Sequence, residues 1–99
     1  MVVFRPVGGR SMTPISLFYG IIIYMYTDKS RDMKVPHVHA VFKEEEVIIA
    51  LTGEVLDGRM NPNKLKLVEA WLCIHLDDLT ANWRLMMNGN EVFRIDPLR

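Results

Sequence analysis

Cysteine is all but absent: Cys73 stands alone. A lone thiol excludes an intrachain disulfide framework and fits a reducing compartment, so the cytoplasm is the expected location. Net charge is missing too. Lys plus Arg and Asp plus Glu number 12 each, for a formal charge of +0, so no long-range field draws the chain toward nucleic acid or an anionic membrane. Nucleic-acid binding is disfavoured on that ground. Long apolar runs are also lacking. The longest uncharged apolar stretch, Leu17 to Tyr26, is about half of the ~20 residues a membrane helix needs, so no membrane partner is expected. Met1 to Arg10 has no central apolar run of the kind a signal peptide requires. Repeats, low-complexity tracts and interdomain linkers are absent as well.

What is present is a chain of 99 residues, 49% of them hydrophobic. That length suits one domain with a single core. Folding at this size removes only roughly 60–65% of the unfolded chain's surface from water, which leaves apolar area for a neighbour to cover. A homo-oligomer, most simply a two-fold dimer, is the expectation.

Residues 1–11 carry two Arg, a Pro and a Gly-Gly pair without strand or helix period, and read as a flexible tail before a single domain over 12–99. Met12 is then a candidate start. Gly20 to Thr27 is dense in β-branched and aromatic side chains and reads as the first strand. A charged loop, Asp28 to Val35, ends at Pro36. His37 to Phe42 and Glu46 to Leu51 then form a predicted hairpin, with Glu54 to Asp57 a short fourth strand before Gly58.

Asn61-Pro62 opens a helix, since the Asn side chain can accept from the first free N–H groups and Pro at the first helical position loses nothing. Leu65, Val68, Leu72, Leu76, Leu79, Trp83 and Met86 recur at steps of three and four and place one apolar stripe on it. Asn88-Gly89 fits its C-terminal cap. A span this long exceeds the usual mean of about 11–12 residues, and Asp77-Asp78 is where a break would fall. Val92 to Ile95 reads as a final strand. The expected fold class is therefore α+β: a small mixed or antiparallel sheet of three to five strands, packed on one face by a long C-terminal helix.

Alternation along strands divides the sheet into two chemically different faces. The helix is expected on the face of Ile23, Met25, Val38, Ala40 and Phe42. Tyr24, Tyr26, His37 and His39 then share the other face, the candidate binding face. Val47 to Leu51 is apolar on both sides, so that second face is not expected to lie wholly open to water, and a subunit partner is one way to cover it.

Several blocks carry a family resemblance. They are Met12-Thr-Pro-Ile-Ser-Leu-Phe-Tyr-Gly-Ile, Pro36-His37-Val38-His39-Ala40, Thr52 to Gly58, Glu69-Ala70-Trp71 followed by His75, and Ile95-Asp96-Pro97-Leu98. Over residues 12–99 the chain resembles the bacterial DUF4160 family, a domain of unknown function whose central motif usually reads Pro-Pro-His-Phe-His-Ala. Val35 stands here in place of the first Pro and Val38 in place of the Phe, and the preceding loop, with Lys29, Arg31 and Lys34, is longer. The resemblance implies no established activity. It implies genes that often lie beside a second small family, in settings similar to toxin–antitoxin modules, and hence a small protein partner encoded nearby.

Against that setting the residues carry two classes of chemistry. His37 and His39 sit about 6.5–7 Å apart along one side of a strand, a spacing that chelates Zn²⁺, Mn²⁺ or Fe²⁺ if a third ligand approaches. His75 resembles the family's helical His and is the candidate third ligand, but a helix on the Val38 face puts the sheet between it and the pair. The plainer reading makes the two histidines structural or partner-contacting, with no cofactor. A metal-independent nuclease would use His37 or His39 as base and acid, Lys29, Arg31 or Lys34 to hold phosphate, and Tyr24 or Tyr26 to stack a base. Cys73 reads as inert packing within the helix, Trp71 and Trp83 as core or interface, and Glu44-Glu45-Glu46 as a solvated turn. A protein-interaction component of a toxin–antitoxin-like pair is favoured over a small RNA-acting or metal-dependent enzyme, because balanced charge and surplus apolar surface suit a protein partner.

Overall fold

Tight turns decide how this chain lays its strands side by side. The computed structural model describes residues 13–27 and 34–99, so the expectations for residues 1–11, Met12, Lys29 and Arg31 lie outside the described residues. β1 (Ser16–Phe18) meets β2 (Ile21–Tyr24) across a two-residue turn, Tyr19-Gly20. Both turn residues have positive φ, 50° and 79°, the combination whose twist matches antiparallel strands and which Gly adopts freely. β3 (His37–Phe42) and β4 (Glu45–Ala50) are joined through Lys43-Glu44, with Lys43 at φ 54°. β5 (Val55–Gly58) completes a sheet of order β1-β2-β3-β4-β5, antiparallel at every pairing, with a register irregularity between Ile48 and Ile49.

The fold class is as expected, an α+β domain built on an antiparallel sheet. Its first strand is one the sequence reading did not assign, and the predicted strand over 20–27 shortens to Ile21–Tyr24.

Asn61 caps α1 (Pro62–Ile74) by accepting from the Asn63 and Lys64 N–H groups, and its own N–H donates to Glu45 Oε1 at 2.8 Å. The expected single helix is two. His75, at φ −108°, ψ 23°, separates α1 from α2 (Leu76–Met87). The break falls just before Asp77 and Asp78, which then occupy the first turn of α2, where negative charge is favoured by the helix dipole. Gly89, at φ 79°, ends α2 as predicted, with its N–H on the Met86 carbonyl.

The predicted strand Val92 to Ile95 is not a strand, because side chains take its backbone groups. Asn82 donates from Nδ2 to the Phe93 carbonyl at 2.8 Å and accepts from the Phe93 N–H at 3.0 Å. The Trp71 indole N–H donates to the Asp96 carbonyl at 2.8 Å, and Ile95 N–H bonds the Ile15 carbonyl.

Both helices supply side chains to one core. Ile21, Ile23, Val38, Ala40, Val47 and Ile49 from the sheet meet Val68, Trp71, Leu72, Leu79 and Trp83. The Phe18 and Trp71 rings lie 5.4 Å apart. This is the face on which the alternation placed the helical layer.

Candidate functional site

The second face is organised in rows by strand register. Tyr24 lies opposite His39, His39 opposite Ile48 and Ile48 opposite Asp57, so these four cross β2 to β5 side by side. A neighbouring row joins His37 to Ala50, and another joins Leu17, Ile22, Val41 and Glu46. Opposed residues in an antiparallel ladder share a face, which is why a spacing of two along β3 brings both imidazoles together.

The structure brings together the sequence-predicted site residues. The His37 and His39 rings are 5.3 Å apart at 65°. Tyr26 stacks on His39 at 3.8 Å with planes 10° apart, and Tyr24 is the cross-strand partner of His39. Both histidines are 1% exposed. Burial holds the Tyr24 hydroxyl above its ordinary pKa. For His37, burial pushes the ring below its ordinary value, with a smaller push from neighbouring His39 and partial opposition from the hydrogen bond to Val35.

Two residues of the site were missed in the sequence. Glu46, grouped there with a solvated turn, is a β4 residue opposite Val41, and its carboxylate accepts from His39 Nδ1 at 3.3 Å. The signal was the hairpin's loop length, since two loop residues leave Glu46 diagonal to His39. Trp83, assigned to core or interface, is in the core and also lies 5.1 Å from the His37 ring. His37 is the first residue of β3, at the margin of the sheet, where α2 can reach it.

Three residues stand apart. His75 packs near Trp71, rings 5.7 Å apart, on the helical side. Among the described residues no group of three or more His, Cys, Asp or Glu side chains is disposed to hold a metal. Cys73, expected to be packed, is exposed, because the stripe that α1 buries runs through Val68, Trp71 and Leu72. Lys34 is exposed.

Chemically the arrangement is a carboxylate-anchored imidazole beside a carbonyl-anchored one, roofed by an aromatic ring. Among the described residues no helix is long and apolar enough to cross a membrane. No curated protein and no solved structure gives a significant match. A family model does match, over residues 20–84, and it spans β2 to β5, both histidines and most of the helical layer. The chain belongs to the family described as Domain of unknown function (DUF4160).

Proposed function

We propose that this protein is an interaction component of a toxin–antitoxin-like module in the bacterial cytoplasm, acting as a homodimer that also engages a small protein partner. The observation that carries the reading is apolar surface at the junction of the helices. Ile74 is 65% exposed and Leu76 43% exposed, on either side of His75. Met87, 60% exposed, lies on the same side of α2 as Leu76, about three turns further along. Such exposed apolar side chains supply area that a protein partner would cover. Balanced charge agrees, since nothing in the composition concentrates a phosphate-binding field.

The RNA-acting alternative is weaker for a physical reason. Cleavage by paired histidines needs one imidazole to arrive protonated, and burial disfavours the charged form of His37.

Light scattering of the purified protein at micromolar concentration is expected to give the mass of two chains. Ile74→Asp combined with Leu76→Asp should give one chain with little change in melting temperature, because both side chains already face water. The same pair should abolish co-purification with the product of an adjacent small gene. A one-chain mass for the parent protein counts directly against the dimer, and ribonuclease activity lost in His39→Gln would favour the alternative.

A further inference from the structure

Each histidine donates its Nδ1–H to an oxygen that can only accept. His37 donates to the Val35 carbonyl at 2.8 Å and His39 to the Glu46 carboxylate at 3.3 Å. A neutral imidazole carries one proton, so both rings are fixed in the tautomer whose Nε2 is a bare lone pair. The two anchors lie at opposite ends of the pair. Val35 precedes His37 by two positions, whereas Glu46 pairs with Val41, two positions beyond His39. Since Nδ1 and Nε2 point to opposite sides of the ring, outward anchoring at both ends turns the two Nε2 lone pairs toward the space between the rings. There His39 Nε2 is buried with no hydrogen-bond partner. A buried acceptor without a partner is costly to the fold. A cation bound at His39 Nε2 supplies that partner, and His37 Nε2 is the neighbouring lone pair that completes a chelate.

We propose that His37 and His39 are the protein ligands of a site for a borderline first-row divalent ion, Zn²⁺ or Ni²⁺ in particular, bound through both Nε2 atoms. Two imidazoles on one tetrahedral ion, with N–metal bonds of about 2.0–2.1 Å, put their ring centres roughly 5 Å apart. The observed separation is 5.3 Å. A carbonyl or carboxylate on the outer ring N–H is also what such ligands use to fix tautomer and orientation and to raise basicity. Imidazole donors select zinc, nickel or copper over magnesium or calcium. With no third His, Cys, Asp or Glu disposed to join among the described residues, the remaining coordination positions are open to water or a bound anion. The affinity is correspondingly below that of a four-residue structural zinc site.

The test uses the full chain, stripped by chelation, and Zn²⁺ as its simple salt. Titration calorimetry is expected to give one ion per chain. Ring ¹⁵N NMR is expected to show Nδ1 protonated on both histidines beforehand, and both Nε2 resonances displaced by Zn²⁺. Glu46→Gln alters a side chain that is 44% exposed and should fold, while weakening Zn²⁺ binding by about 10-fold or more. His37→Gln with His39→Gln should abolish binding, and His75→Gln should leave it unchanged. If the double variant does not fold, the NMR measurement on the parent chain still decides. Unmoved Nε2 resonances at saturating Zn²⁺, or binding that survives in the double variant, overturns the proposal.

Discussion

Tyr26 and His39 lie face to face, their ring centroids 3.8 Å apart and their planes 10° from parallel. Tyr26 comes two positions after Tyr24, the last paired residue of β2, and so returns to the same side of the sheet. Replacing Tyr26 with Leu keeps apolar bulk and removes the π face. Urea unfolding should report a loss of about 0.5–1.5 kcal/mol beyond any change in buried area. Unchanged stability in Tyr26→Leu would show that the stack contributes nothing to the fold.

Burial lowers the His37 pKa below its unfolded value of 6.5, and the sign of the linkage follows. Above pH 6.5 the ring is neutral in both states and its full contribution to stability is present. As pH falls toward the folded value the unfolded chain takes up the proton first, so stability declines through that window and levels off below it. Urea titrations in chelator at pH 5 and pH 7.5 should therefore show a weaker fold at the lower pH, and His37→Gln should reduce the difference. Equal pH dependence in parent and variant would locate the sensitive group elsewhere.

Asn82 is fully buried and holds both backbone groups of Phe93. Asn82→Ala leaves a donor and an acceptor without partners in a part-buried position, at a cost of about 2–4 kcal/mol. Thermal unfolding measures it directly. A loss under about 0.5 kcal/mol, the level of an ordinary surface change, would mean that the C-terminal segment is held by its apolar contacts alone.

Gly58 pairs with Val47 at φ 77°, and a Cβ there would collide with the Glu46 carbonyl. Gly58→Ala must therefore displace β5 or the Glu46 backbone. A loss of at least about 1–3 kcal/mol is expected from the strained φ. In ring NMR the His39 Nδ1 proton should shift as its carboxylate partner moves. A stable Gly58→Ala protein with that proton unmoved would argue against the coupling.

The alternation of apolar and polar side chains was enough to read the sheet faces, and with them the pairing of His37 and His39. Three-residue β1 was illegible because three residues barely define a period; its place rests on the positive φ of Tyr19 and Gly20. The Val92 to Ile95 segment has strand-like composition, but what its backbone bonds depends on Asn82 and Trp71, side chains distant in sequence. Glu46 looked like one of three solvated acids until the hairpin register placed it diagonal to His39. The helix break at His75 has no Gly or Pro to announce it, and its position is visible only where α1 and α2 share the core.

Phe93, Ile95 and Asp96 follow every strand and helix in the chain, yet their backbones complete the partners of Asn82, Ile15 and Trp71. Synthesis runs in one direction, so an emerging chain can zip its hairpins and coil its helices while these three interior groups still wait. Until residues 93–96 clear the ribosome, the Trp71 indole N–H and the Asn82 amide sit in a half-built interior with no backbone to bind. Closing of the interior is thereby deferred until residues 93–96 dock, which makes it a later step than pairing of the sheet, whose last strand ends at Gly58.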